Sequence, residues 1–277
     1  MKKLWTTNKI PILAYHRIVP APLHQSRHGI WVTVQNFRKQ MRLLSLSGFN
    51  TISLDMLVSA NKGIIQLPKK PIILTFDDGY QDNYLYAFPI LKKYNLTTTI
   101  FLVSGCIGKT NQWDEVHGEE TVPLLSSYEI KEMSAYGISF GAHTVTHPHL
   151  SHLSKEQAFG EIMQSKKKIE EIIEKEVVSF CYPYGDFSPD VKQMVMEAGF
   201  KCACACDTEQ INDFYELSRR QVFPKTGMFG FWKKTQKWYH DYKNLQLDFF
   251  SFLCTIVYYS LAVLDKFKSN FFSNTVF

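Results

Sequence analysis

The sequence predicts an α/β fold whose parallel strands close into a barrel, and three observations lead there. Short apolar or β-branched runs alternate with amphipathic stretches from Ile10 to about Val222, the rhythm of β-α repeats. About seven such repeats follow one another in a continuous chain, which favours one closed barrel over two open sheets. Finally, 45% of the 277 residues are hydrophobic and 21% are charged, the proportions of a soluble globular protein. A mostly disordered chain and a protein built of membrane spans are both excluded.

Taken in order, residues 10–15 read as the first strand, and Phe37, Met41 and Leu44 mark a helix that Gly48 closes. A strand at 49–54 and a short helix at 55–60 follow. Residues 71–76 form a buried apolar strand running into Asp77-Asp78-Gly79. The stretch 83–94 is helical in spite of Pro89, and 97–103 is a β-branched strand. A helix at 129–136 and a strand at 138–142 repeat the pair. Ser154 caps the next helix, with Gln157 completing a capping box and Leu153 placed as a staple. Phe159, Ile162, Met163, Ile169, Ile172 and Ile173 recur there at helical spacing. A strand at 177–182, a helix at 190–198 and a strand at 200–206 complete the series. Residues 104–123 break the rhythm with Gly105, Gly108, Trp113, Asp114 and His117; loops of that length carry function or move.

The chain holds 31 Lys and Arg against 26 Asp and Glu, a net charge of +5. Most of that surplus sits after residue 223, where seven Lys face three Asp and 15 of 54 residues are aromatic. The expected organisation is therefore a nearly neutral domain over 1–223 and a basic, aromatic, helical extension over 224–277. Residues 249–264 carry no charge but fall short of the roughly 20 apolar residues of a spanning helix. Packing on the barrel, lying in a membrane interface and spanning remain three readings of that segment. Met1-Lys2-Lys3 is followed by only a short apolar run that Pro11 and His16-Arg17 interrupt, so no cleavable signal peptide is expected. Cys202, Cys204 and Cys206 alternate on one strand face and read as small buried core residues. Unpaired thiols fit a reducing compartment, so the expected location is cytoplasmic, peripheral on the membrane. No nucleic acid is expected as a partner.

Two features at strand ends point to chemistry. Asp77 and Asp78 close an apolar strand, and neighbouring residues on extended backbone face opposite sides, so the two acids take different partners. His143 and His147 follow the strand at 138–142, where Pro148 and β-branched neighbours argue for a turn. Two His and one Asp make a three-ligand metal set with open positions for water and substrate. Both features stand at the same end of parallel strands, where α/β enzymes place their sites.

These residues resemble the polysaccharide deacetylase family, the NodB-homology domain of the carbohydrate esterases, over about residues 10–222. The poly-N-acetylglucosamine deacetylase branch is the nearest, through Tyr15-His16-Arg17-Ile18. Thr75-Phe76-Asp77-Asp78-Gly79 matches the first family motif, His143 to His147 the second, and Phe180-Cys181-Tyr182-Pro183-Tyr184-Gly185 the third. The resemblance implies a distorted (β/α) barrel and hydrolysis of an N-acyl group, usually acetyl, from an amino sugar. It implies Asp77 as catalytic base, and Asp78, His143 and His147 as ligands of a divalent metal. Zinc is the first expectation, with cobalt, nickel, manganese or iron as substitutes. Tyr182, Pro183, Tyr184 and Gly185 would line the substrate groove, with Trp113 as an aromatic platform. The third motif lacks the Arg that often opens it and orients the base, and Arg219, in Leu217-Ser218-Arg219-Arg220, is expected to supply that charge. The late motif that usually provides a general acid is not recognisable, and His16 is expected to bind substrate or act as that acid. His24, His28, His117, His149, His152 and His240 are expected to be solvent-facing or structural.

The expected partner is an N-acetylated saccharide, polymeric, oligomeric or lipid-linked, with a membrane surface as a second partner through the C-terminal segment. Two rival classes stand beside this reading. One is a non-catalytic saccharide-binding member of the family, suggested by the missing acid motif. The other is a 2-His-1-carboxylate iron oxygenase, which the Asp-Asp pair and the α/β rhythm fit poorly.

Overall fold

The computed structural model describes residues 10–23, 26–206, 213–237 and 239, without the side chains of 116 and 117. Its strands are β1 (Ile12–Tyr15), β2 (Arg17–Val19), β3 (Trp31–Thr33), β4 (Asn50–Ile52), β5 (Pro71–Phe76), β6 (Thr99–Leu102), β7 (Ser139–Ala142), β8 (Ser179–Cys181), β9 (Cys202–Cys206) and β10 (Leu217–Gln221). The helices are α1 (Val34–Leu46), α2 (Leu54–Asn61), α3 (Phe88–Lys93), α4 (Ser127–Tyr136), α5 (Lys155–Ile173), α6 (Pro189–Glu197) and α7 (Met228–Lys234). Strands β5 to β10 pair in sequence order, and β1 joins β10 to β5. All these pairings are parallel. The result is a closed seven-stranded barrel with helices outside it.

Side-chain alternation divides the strands between two cores. Ile12, Ile73, Phe101, Cys181, Cys202, Cys204 and Leu217 pack in the barrel interior. Their neighbours Leu13, Leu74, Leu102, Phe180 and Ala203 face outward and pack with Phe37, Ile130, Ile162 and Val195 of the helices. Strand β4 pairs with the first half of β5 and leads into α2. Leu54, Leu57 and Val58 of that helix join the interior cluster and fill the end away from the strands' C-terminal mouth. The interior accommodates a phenyl ring because β7 has no side chain opposite it. A Cβ on Gly141 would lie 2.5 Å from the Phe101 ring and 2.6 Å from Ser179 Oγ.

The predicted repeats are present, most of the strands with trimmed ends, because strand pairing stops where the chain turns to its helix. Ser154 and Gln157 form the expected capping box on α5. Around Pro89 the expected helix divides into a π-helical turn at Asn83–Ala87 and then α3. Proline has no N–H to donate one turn back, so the regular ladder opens there. Strands β2, β3 and β10 have no counterpart in the apolar pattern; β10 reads Leu-Ser-Arg-Arg-Gln. The long loop carries two 3₁₀ turns, Ser104–Cys106 and Gln112–His117. It is tied down by bridges of Thr110 to Pro123 and Tyr80 to Leu124. The compact unit that carries the barrel runs Met1–Thr235 and takes in Phe231 of α7, which is fully buried. The segment 249–264 lies outside the described residues. Among the described residues, no helix is long and apolar enough to cross a membrane.

Replacing Gly141 with Ala forces a Cβ into the Phe101 ring and is expected to cost about 1–3 kcal/mol, the usual penalty of overpacking. Urea unfolding of Gly141→Ala beside the parent measures it; an unshifted midpoint would show that the interior is looser than described.

Candidate active site

The mouth of the barrel is built around one ion pair inside it. Arg219 projects inward from β10 with its side chain fully buried and forks onto Asp77, Nη1 to Oδ1 at 2.6 Å and Nη2 to Oδ2 at 2.8 Å. The remaining guanidinium hydrogens also have acceptors. Nε donates to Ala205 O at 3.4 Å, Nη1 to Thr75 Oγ1 at 3.1 Å and Nη2 to Cys181 Sγ at 3.0 Å. All five Arg donors are therefore used. Cys181 is a thiol here, since burial pushes its pKa up to about 12. The guanidinium lies 5.6 Å from the Phe101 ring centroid. Burial alone would raise the Asp77 carboxyl, but the Arg219 charge and then His16 outweigh it and hold the group below its ordinary value.

Asp78, one residue on, also points elsewhere, but not for the expected reason: β5 has ended at Phe76, and Asp78 turns the chain with a left-handed φ of 71°. Its Oδ1 lies 3.4 Å from Nε2 of both His143 and His147, and those two nitrogens are 3.2 Å apart. His143 Nδ1 meets the Cys181 carbonyl at 2.7 Å, and donating there makes Nε2 the nitrogen that faces Asp78. Three potential ligand atoms thus converge within reach of one ion. The set's demand for positive charge shows in its protonation. Burial opposes a charged His143, yet Cys181 and Asp78 carry its pKa well above the ordinary imidazole value. Asp78 is held well below the carboxylate range, burial being outweighed by hydrogen bonds from both His. Two imidazoles and a carboxylate fit a borderline-soft divalent cation such as zinc.

The backbone that presents these groups is strained. Asp78, Thr144, His147 and Tyr184 have φ of 71°, 66°, 64° and 58°, left-handed values that cost roughly 1–2 kcal/mol for a residue with a Cβ. Hydrogen bonds hold the histidine turn in that shape. Glu161 of α5 accepts from the Val145 and Thr146 amides at 2.7 and 2.9 Å, and Ser104 N and Gly105 N bond Thr144 O and Val145 O. A Cβ on Gly105 would sit 2.5 Å from Val145 O, so only glycine permits that approach. His16 is fixed likewise: Asn83 Nδ2 donates to its carbonyl at 2.8 Å, and Asp82 receives Ile18 N and Arg17 Nε. Its Nε2 lies 3.7 Å from Asp77 Oδ2.

A cavity of about 310 Å³ brings these residues together. One wall is Tyr182, Tyr184 and Gly185; the other carries Trp113, Asp114 and His28. Pro183 is buried behind the first wall. Trp113 stacks on His147 at 4.9 Å and Tyr184 meets the same ring edge-on at 4.6 Å. His149 stacks on Tyr184 at 4.0 Å, a structural place, as expected. His28 departs from its expected solvent-facing or structural place, because 26–30 folds back over the long loop and puts its ring on the cavity wall. Cys202 and Cys204 are buried core thiols; Cys206, at the end of β9, is only partly buried and lines the cavity. His24 and His240, and the His117 side chain, lie outside the described residues. Sequence reasoning gave no role to Thr75 and Cys181, although both stand in the family motifs, and missed Glu161 and Asp114, of which Asp114 had a signal in the unusual length of its loop.

The profile of the polysaccharide deacetylase family matches residues 65–203, a stretch that holds Asp77, Asp78, His143, His147 and Tyr184. The chain belongs to that family. Its members are hydrolases of amide bonds in N-acetyl sugars. YxkH of Bacillus subtilis (strain 168) is 28% identical over 228 residues, 80% of this chain and 74% of that protein. The poly-beta-1,6-N-acetyl-D-glucosamine N-deacetylase of Staphylococcus aureus (strain MRSA252) is 26% identical over 198 residues, 66% of this chain and 65% of its own length. Among solved structures, the deacetylase PplD of Streptococcus pyogenes, in complex with acetate, superposes with a TM-score of 0.70 at 27% identity. That match covers 82% of this chain and 98% of PplD, so the seven-stranded barrel is the family's. His16 and Arg219 lie outside the family-profile match, and this structure brings both to Asp77.

Arg219→Gln leaves Asp77 buried without its charge partner and is expected to lower stability by about 3–5 kcal/mol, the range for breaking such pairs; denaturant unfolding measures it. The Asp77 pKa is lower folded than unfolded, so its contribution is complete above the unfolded carboxylate value and lost as pH falls through the folded one. The stability difference between parent and Asp77→Asn should thus be constant from about pH 5 to 8 and shrink in more acid solution. A difference that grows on acidification contradicts the ion-pair assignment.

Proposed function

We propose that the protein is a metal-dependent hydrolase that removes an N-acyl group, acetyl first, from an amino sugar of a polysaccharide, oligosaccharide or lipid-linked saccharide. The observation that carries this reading is an ionised Asp77, gripped by Arg219, adjacent in the chain to the convergent set of Asp78, His143 and His147. Those three residues would hold the divalent ion, zinc by their donor chemistry, with cobalt, nickel, manganese or iron as alternatives. Bound there, the ion supplies Lewis acidity, polarising the acyl carbonyl and making water acidic.

The chain's own residues do the rest. Asp77 takes the proton of the attacking water; held this acidic it is a weak base, so it accepts the proton as the attack proceeds rather than beforehand. Arg219 keeps the carboxylate oriented by holding both oxygens. Negative charge grows on the carbonyl oxygen during attack, and the backbone N–H of Tyr184, at the cavity wall, is assigned to receive it. His16, beside Asp77, is assigned the proton that the departing amine needs, because an amide anion is too poor a leaving group. Tyr182, Gly185 and Trp113 shape the groove. The location proposed with this activity is cytoplasmic, at the membrane surface; free thiols at Cys181, Cys202 and Cys204 and the basic aromatic composition after residue 223 support it.

Acetate release from N-acetylglucosamine oligomers tests the proposal. The metal-loaded parent is expected to release acetate, a chelator to stop it, and Asp77→Asn to lower kcat by about 10²–10⁴, the usual worth of a general base. His16→Ala should lower kcat with metal content unchanged, whereas His147→Ala should lose metal. No acetate from any N-acyl sugar, with metal demonstrably bound, would sink the reading.

A further inference from the structure

Two segments far apart in sequence meet at the cavity wall and leave one carboxylate oxygen facing the substrate space. Asp114, in the 104–123 loop, is only 5% exposed. Its Oδ2 accepts from Tyr80 OH at 3.2 Å and from Asn111 Nδ2 at 3.3 Å. Oδ1 has no donor at hydrogen-bond distance among the described residues. The group facing it is His28 Nε2, at 3.7 Å, longer than a hydrogen bond. His28 is brought there by its backbone amide, which donates to Glu119 Oε1 at 2.6 Å. Asp114, His28 and Trp113 all line the cavity that holds Asp77 and Asp78.

A carboxylate oxygen that opens on the cavity without a protein donor has its lone pairs available to a ligand. The ligand must also suit His28. An ammonium can donate to Asp114 but has no lone pair for an imidazole N–H. A hydroxyl does both at once, donating its hydrogen to the carboxylate and accepting from the ring. A 3.7 Å separation lets one oxygen sit at ordinary hydrogen-bond length from each atom. Trp113 next to them supplies an apolar face for the carbons of the ring that bears such a hydroxyl.

We propose that Asp114 and His28 form a subsite for a ring hydroxyl of the saccharide, the hydroxyl donating to Asp114 Oδ1 and accepting from His28 Nε2. This rests on the deacetylase reading above, and it makes the loop wall the part of the site that recognises sugar rather than acyl group.

The test compares two acetyl donors on the metal-loaded full chain: N-acetylglucosamine oligomers, which carry ring hydroxyls, and 4-nitrophenyl acetate, which has none. Asp114→Asn and His28→Ala are each expected to raise KM for the oligomers about tenfold, the worth of one charge-assisted hydrogen bond. Their loss of kcat/KM on the ester is expected to be several times smaller than on the oligomers. Equal losses on both donors, or an unaltered KM for the oligomers, overturn the proposal. Asp114 also receives Tyr80 and Asn111, so His28→Ala, at a partly exposed side chain, keeps the test open if Asp114→Asn does not fold. A parent that cleaves the ester but no N-acyl sugar defeats the function proposed above. Calorimetry of oligomer binding to Asp77→Asn then decides the subsite: weaker binding in the Asp77→Asn/His28→Ala variant supports it, and equal binding overturns it.

Discussion

The Asp77–Arg219 pair is the interaction on which the site and the barrel interior both depend. A guanidinium buried inside a seven-stranded barrel is tolerable only because every N–H has an acceptor: two carboxylate oxygens, a hydroxyl, a carbonyl and a thiol. Removing any one of these leaves a polar group unpaired in a medium of low dielectric. The neighbouring interior positions are small or apolar for the same reason. Gly141 and Ser179 leave room for Phe101, whose ring faces the guanidinium, and the cysteines are buried thiols that burial keeps neutral. The core of the barrel is thus organised around a charge that serves the mouth.

Barrel closure connects that charge to the rest of the site. The β1–β5 pairing runs one bond past the strands, with Asp77 N donating to Tyr15 O, and so places His16 beside the Asp77 carboxylate. The left-handed residues Asp78, Thr144, His147 and Tyr184 then turn the chain sharply where each strand ends. Such conformations persist only where the surroundings over-determine them, and Glu161, Gly105 and Thr144 Oγ1 do so for the histidine turn. The strain is concentrated where ligand atoms must converge, and the regular strands beneath carry none of it.

How much was legible in the sequence follows from the range of each interaction. The alternation of apolar strands and amphipathic helices is local, so the parallel fold and its approximate repeat number could be read directly. The spacing of His143 and His147, and the adjacency of Asp77 and Asp78, are local too, and the family motifs lie within short stretches of chain. Strand β10 was illegible as a strand because its inward residues are Leu217 and Arg219, with polar residues between. No hydrophobic period marks a strand whose buried side chain is an arginine. Arg219 was reachable only through its short motif and the family resemblance, which made it the charge that orients the base, 142 residues away.

The wall opposite the third motif was legible only in part, through Trp113 and the length of the loop that carries it and Asp114. His28 stands in an unrelated loop and by itself reads as an ordinary surface residue. By itself, then, the sequence determined the fold class, the candidate metal-ligand set and the candidate base, because backbone periodicity and short motifs act over a few residues. Tertiary structure alone decided how Arg219 grips Asp77, that His28 joins the cavity wall and where a carboxylate oxygen is left open to a ligand. Those are properties of atoms brought together by barrel closure and loop packing, and no local pattern encodes a distance across the chain.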